Sequence, residues 1–130
     1  MEKKILIIDD DEDLCEELTG ILNTSGYHAT YALDGVKGRE MVERDGFQVV
    51  ILDLKLPYLS GFEILKILKK SFFNLKILIF SGRPMAQERL WQEMTEPVQE
   101  EEEILKTADA VVSKPINVEA LLSVLEELTA

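Results

Sequence analysis

Val49-Val50-Ile51-Leu52-Asp53 decides the fold: four apolar residues end abruptly on one carboxylate, and Lys55, Pro57 and Gly61 follow close behind. A short β-branched and apolar run closed by turn residues suits a strand buried on both faces, and such strands belong to parallel sheets covered by helices. Asp53 then stands at the strand's C-terminal end, where open parallel sheets bind ligands.

Outward from this strand the same pattern repeats. Lys4 to Ile8 is a second apolar run, and it stops on Asp9-Asp10-Asp11-Glu12-Asp13. Leu14, Leu18, Ile21 and Leu22 recur at helical spacing, with Gly26 as the stop. His28 to Ala32 reads as a weaker strand near a sheet edge. Asp34-Gly35 is a turn, and Val36, Met41 and Val42 mark a short amphipathic helix ending about Asp45-Gly46. After Asp53 a helix is predicted from about Gly61 to Lys70, with Phe62, Leu65 and Leu68 inward and Lys66, Lys69 and Lys70 mainly outward. Lys76 to Phe80 is the fourth strand, ending on Ser81-Gly82. Pro84 opens a helical piece with Leu90, Trp91 and Met94 that Pro97 ends near Glu96, and a second piece runs from Val98 to Lys106. Ala110 to Ser113 is the fifth strand, closed by Lys114-Pro115, and Asn117 caps a last helix whose Leu121, Leu122, Leu125 and Leu128 face the sheet.

Five strands alternating with helices give an α/β fold, a doubly wound parallel sheet in one domain spanning residues 1–130. Alternation leaves the strand order open. The flavodoxin-like order 2-1-3-4-5 is a common solution, and it sets the first and third strands side by side, bringing Asp9 and Asp10 to Asp53.

Composition narrows the function. The net charge of −11 argues against direct nucleic-acid binding, which relies on basic patches. The one cysteine, Cys15, and the one histidine, His28, exclude a Cys/His zinc site and an internal disulfide. Only four apolar residues follow the N-terminal lysines before the acids begin, too few for a signal peptide or membrane span, so the default is a cytoplasmic protein away from the membrane. Cys15 reads as an inert helix residue, His28 as an exposed strand residue, and Glu100 to Glu103 as a solvated face. Trp91 with Leu90 and Met94 is either core or a partner anchor.

Three carboxylates at one sheet edge repel one another unless a cation neutralises them. Magnesium fits, since it takes oxygen ligands, commonly one or two carboxylates with waters and phosphate. Ser81 and Lys114, at the ends of the fourth and fifth strands, supply a hydroxyl and a mobile positive charge suited to phosphate oxygens. An aspartate that accepts a phosphoryl group needs a metal and a cation around the transferred oxygens more than a general base. Asp53 is then the nucleophile, Asp10 and Asp53 hold the metal directly, Asp9 acts through water, and Lys114 and Ser81 contact the phosphoryl group.

At these residues the sequence resembles the receiver domain of two-component response regulators. Ile7-Ile8-Asp9-Asp10, Asp53 with Pro57 and Gly61, Ser81-Gly82 and Lys114-Pro115 occur in the family's order across nearly the whole chain. The resemblance implies a phosphorylation-controlled switch: Asp53 takes its phosphoryl group from a sensor histidine kinase or histidine phosphotransfer protein and signals to a downstream protein target or effector domain. It implies Mg2+ on Asp10, Asp53 and the Lys55 backbone carbonyl, an inward turn of Ser81, and a cis Lys114-Pro115 bond. Such a domain assists its own phosphorylation and dephosphorylation without being an enzyme in the usual sense. Lys55 and Arg83, two positions beyond Asp53 and Ser81, are neither of them a base at neutral pH, which predicts slow self-dephosphorylation.

The sequence departs from the family in three places. Val111 replaces an aromatic switch residue, Ser60 stands where an aspartate is common, and the stretch from Ser81 to Lys114 is long, so the helix-4 segment is extended or remodelled. That segment borders the family's common output and dimer face, which leaves a homodimer open. Asp9-x-Asp11-x-Asp13 also resembles the start of haloacid-dehalogenase-type phosphatases with Asp9 as nucleophile, but Asp13 falls where Thr or Val is usual. A non-phosphorylated receiver-like interaction module is the third reading. The end at Ala130, soon after the last helix, suits a stand-alone receiver or part of a longer regulator alike.

Overall fold

A computed structural model describes residues 3–56, 60–72, 74–82, 103, 106–115 and 117–130. Along these residues run β1 (Lys4–Ile8), α1 (Glu12–Thr24), β2 (His28–Ala32), α2 (Gly35–Asp45), β3 (Val49–Leu52), α3 (Gly61–Ser71), β4 (Lys76–Ser81), β5 (Ala110–Ser113) and α4 (Val118–Leu128). All strand pairs are parallel and the order is β2-β1-β3-β4-β5, the expected one. The helical piece expected after Pro84, with Leu90, Trp91, Met94 and Pro97, lies outside the described residues, as do Arg83 and Pro57. Of the piece expected from Val98 to Lys106, only Glu103 and Lys106 are described.

β1 from Ile5 onward and the whole of β3 are apolar because both their faces are covered. Ile5, Ile7, Val49 and Ile51 pack with Cys15, Leu18 and Leu22 of α1 and Leu121 and Leu125 of α4. The alternate residues Leu6, Ile8, Val50 and Leu52 pack with Met41 and Val42 of α2 and with Phe62, Ile64, Leu65 and Leu68 of α3. This is the period-two alternation of a strand with a helix layer on each side. Each such side chain contributes roughly 1.5–3 kcal/mol on burial, so the two central strands form a firm platform for whatever stands at their ends.

Each of the four helices α1 to α4 starts on a side-chain oxygen. Asp11, Asp34, Ser60 and Asn117 accept from the backbone N–H of Leu14, Lys37, Glu63 and Ala120 respectively, satisfying donors that have no partner inside the helix. Ser60, unusual for the receiver pattern, is thus a working cap. Gly46 ends α2 at φ +72, where a side chain is strained.

Two expectations need correction. Val36 is exposed, at 51%, because α2 meets the sheet through Gly35, Gly38, Met41 and Val42, a stripe half made of glycine. Lys69 does not point outward. Its ammonium lies 2.6 Å from Asp109, just before β5, and 3.1 Å from the Leu75 carbonyl, since a lysine stem packs along apolar surface while its head finds a carboxylate.

β2 forms one edge of the sheet. The His28 N–H donates to Lys3 on the β1 side, so the backbone groups of Ala29 face outward. The Asn23 amide meets both of them: its Oδ1 accepts from the Ala29 N–H at 2.9 Å and its Nδ2 donates to the Ala29 carbonyl at 3.3 Å. The side chain thereby occupies the place of a neighbouring strand.

Candidate functional site

The sheet ladder continues one residue past the paired Ile8 and Leu52. Asp9 N–H donates to Ala32 O at 3.1 Å, and Asp53 N–H donates to Ile8 O at 2.9 Å. The two aspartates are therefore fixed side by side at the C-terminal ends of adjacent strands. Asp9 and Asp53 are buried, at 2% and 6% exposure, while Asp10 is exposed. Ligand oxygens of Asp9, Asp10 and Asp53 lie within 4.8 Å of one another, and among the described residues this is the one such group of three or more potential metal ligands.

Crowding of this kind has an electrostatic consequence. Burial, and then the Asp9 charge, push the Asp53 carboxyl up to about 6, against the opposing pull of Lys114 and of the Lys55 N–H. That N–H donates to Asp53 Oδ1 at 3.3 Å. Lys114 reaches the site because its own N–H donates to Ser81 O at 2.8 Å and it follows directly on β5. Its Nζ lies 2.8 Å from Asp9 Oδ2 and 3.9 Å from Asp53 Oδ2. Burial alone would lower the Lys114 ammonium, but the Asp9 hydrogen bond and the Asp53 charge outweigh it and hold it above its usual value. The Lys114–Pro115 peptide is cis.

Asp9 is engaged on both oxygens, since Oδ1 accepts from the Asp11 N–H at 3.0 Å and Oδ2 from Lys114. Asp53 is held less closely. Ser81 is buried at the end of β4, in register with Ser113 of β5. The structure thus brings Asp9, Asp10, Asp53 and Lys114 together, with Ser81 on the neighbouring strand end and exposed Lys55 two residues beyond Asp53.

Sequence reasoning named two residues without finding what they contribute. Cys15 is fully buried beneath the carboxylates and its thiol donates to the Asp9 carbonyl at 3.4 Å. Burial first, and the Asp9 charge second, push that thiol up to about 12, so it is inert as expected but not idle. Its place on the inner stripe of α1 with Leu18 and Leu22 was the available signal. The second contributor is Gly61, whose α carbon faces the backbone of Asp53 and Leu54.

The donor set fits a hard divalent cation: carboxylate oxygens only, two of them buried and mutually repelling, with an open, exposed side at Asp10. Among the described residues no helix is long and apolar enough to cross a membrane.

Comparison with known proteins agrees with this geometry. The response regulator receiver domain family matches residues 5–126. Response regulator MprA of Mycobacterium leprae is 37% identical over 87 residues, covering 67% of this chain and 38% of that protein. MprA of Mycobacterium ulcerans is 34% identical over 90 residues, covering 69% and 39%. The chain thus matches well under half the length of these relatives. Among solved structures, a CheY-like receiver domain protein from Methanospirillum hungatei superposes with a TM-score of 0.81 at 27% identity, covering 99% of this chain and 95% of that one. TrrA of Thermotoga maritima, a response regulator solved in complex with Mg2+-BeF, gives 0.81 at 25% identity, covering 97% and 98%. A parallel sheet in receiver order, an acidic trio with a lysine at its C-terminal edge and a family match over residues 5–126 lead to one conclusion: the chain belongs to the response regulator receiver domain family.

Proposed function

We propose that Asp53 is the phosphoacceptor, receiving its phosphoryl group from a phosphohistidine on a sensor histidine kinase or histidine phosphotransfer protein. The observation that carries this reading is the convergence of Asp9, Asp10 and Asp53 within 4.8 Å, with the Lys114 ammonium 3.9 Å from Asp53. In the transfer, an Asp53 carboxylate oxygen bonds to phosphorus as the bond from phosphorus to the donor imidazole nitrogen breaks. The imidazole keeps that electron pair, and Asp53 becomes an acyl phosphate.

Each neighbour has a separate task. Asp10, Asp53 and the Lys55 backbone carbonyl would hold Mg2+, with Asp9 acting through water, and the bound ion would supply positive charge against the transferred oxygens. Asp9, with both oxygens already engaged, anchors Lys114 and orders the loop through Asp11. Lys114 then needs to travel little to reach a phosphoryl oxygen on Asp53, and Ser81 offers its hydroxyl from the adjacent strand. The same engagement of Asp9 speaks against the phosphatase reading, in which Asp9 would be the nucleophile. The chain is an acceptor that assists its own modification, and its signal passes to a downstream protein target or effector domain. The buried free thiol of Cys15 suits a reducing, cytoplasmic setting.

The test is intact mass after incubation with acetyl phosphate and Mg2+. The wild-type chain gains one phosphoryl group and Asp53→Asn gains none, whereas loss in Asp9→Asn with retention in Asp53→Asn would restore the phosphatase reading. No gain by the wild type would favour the non-phosphorylated module. Slow self-dephosphorylation, expected from Lys55 and Arg83, is contradicted by a phosphorylated half-life of seconds.

A further inference from the structure

We propose that Gly61 is a positioning residue for the phosphoacceptor: the bare α carbon at the start of α3 lets that helix rest on the backbone of Asp53 itself, and any side chain there displaces the metal-binding oxygens. The inference rests on the reading of Asp53 and Asp10 as Mg2+ ligands.

A Cβ at Gly61 would overlap the Asp53 carbonyl oxygen and stand 2.5 Å from Leu54 Cα and 3.0 Å from the Asp53 carbonyl carbon. All three are main-chain atoms, which cannot swing aside as a side-chain tip can. The segment they belong to is also tied down. The Asp53 N–H is bonded to Ile8 O at 2.9 Å, the Leu54 carbonyl accepts from the Gly61 N–H at 3.1 Å, and the Leu54 side chain is buried.

A methyl group therefore leaves two ways to relieve the clash. If α3 backs away, it breaks its Gly61–Leu54 hydrogen bond and pulls on the buried Phe62 and Leu65. If the Asp53–Leu54 peptide turns instead, the Asp53 carboxylate and the Lys55 backbone turn with it. Mg2+ demands near-ideal octahedral geometry and tolerates such displacement poorly.

Gly38 supplies the contrast. Its added Cβ would also collide, but with the side chain of Ile8, reaching Cγ1 at 2.8 Å and Cγ2 at 3.3 Å as well as overlapping Cδ1. That collision costs core packing, but it falls on a side chain and strikes no main-chain atom of the ladder that fixes Asp9 and Asp53. Ser60 supplies a second contrast, because Ser60→Ala weakens the same helix by removing its cap while adding no atom near Asp53.

The experiment is a calorimetric Mg2+ titration of the wild type, Gly61→Ala, Gly38→Ala and Ser60→Ala, paired with thermal melts and with the Lys55 amide shift as a local reporter. The expected result is Mg2+ binding weakened about tenfold or more in Gly61→Ala. Gly38→Ala and Ser60→Ala should keep wild-type affinity while melting a few degrees lower. Wild-type affinity in Gly61→Ala overturns the inference, and so does equal weakening in either control, which would make the effect one of general stability. Failure of the wild type to bind Mg2+ instead overturns the metal reading beneath it. Should Gly61→Ala not fold in buffer, the titration is repeated in trimethylamine N-oxide, which favours the compact state. Wild-type affinity there, or refusal to fold even there, also counts against a role specific to the site.

Discussion

Two aspartates at opposite ends of the sheet receive opposite treatment. Asp109, just before β5, is saturated: its Oδ2 accepts from Lys69 at 2.6 Å and from the Ile77 N–H at 2.8 Å, and Lys76 lies 3.9 Å from its other oxygen. Asp53, just after β3, is more deeply buried, yet among the described residues its partners are the Lys55 N–H at 3.3 Å and Lys114 at 3.9 Å, with Asp9 crowding it. A carboxylate that serves architecture has its oxygens filled by the fold, whereas the proposed phosphoacceptor keeps room for a cation and a phosphoryl group to supply partners. Asp109 ties the last turn of α3, the start of β4 and the start of β5 together. Asp53 does no such tying and costs stability.

That difference can be broken at either end. Asp109→Ala takes the carboxylate from the Lys69 ammonium, which is 18% exposed and keeps the Leu75 carbonyl, and removes the acceptor of the Ile77 N–H. It should lower stability by about 2–3 kcal/mol in urea unfolding. An unchanged midpoint would mean the pair is ornamental.

Asp53→Asn should do the reverse. With a folded pKa of about 6 against an unfolded value near 3.9, the native Asp53 holds its proton more tightly than the unfolded chain. Its stabilising contribution is present below about pH 4 and is lost as pH rises to about 6. In metal-free buffer at pH 7, Asp53→Asn should therefore gain on the order of 2 kcal/mol, and the gain should shrink as pH falls toward 4. A gain that grew on acidification would contradict the sign.

Asn23→Ala is the smallest of the three, about 1 kcal/mol. It leaves the outward N–H and carbonyl of Ala29 open at the edge of the sheet. Light scattering should show more self-association than in the wild type, because an uncovered strand edge invites pairing. No change would mean that water serves that edge equally well.

The sequence reveals these two ends unevenly. Strands buried on both faces must be apolar throughout, so Ile5–Ile8 and Val49–Leu52 were legible, and with them the acids at their tips. Alternation alone did not order the strands; the common flavodoxin-like order set β1 beside β3, and the gathering of Asp9, Asp10 and Asp53 followed from it. The structural end was far less legible. Lys69 looked solvent-facing because its partner Asp109 is 40 residues away, and no local periodicity reports such a pairing. Val36 looked buried because helix stripes are traced through bulky residues, whereas α2 docks partly through Gly35 and Gly38. The thiol of Cys15 under Asp9, and the contact of Gly61 with Asp53, depend on how closely backbones approach, which residue type hints at and only coordinates reveal. Val111, which stands at the place of the family's aromatic switch, is 44% exposed on β5.

The central claim, that Asp53 keeps room for a cation and a phosphoryl group, is tested most directly by intact mass and peptide mapping after acetyl phosphate treatment with and without Mg2+. The prediction is one phosphoryl group, on Asp53, formed in the presence of Mg2+ and removed by chelation before treatment or by Asp53→Asn. A chain that stays unmodified, or that carries the group on Asp9 or Asp10 instead, would contradict it.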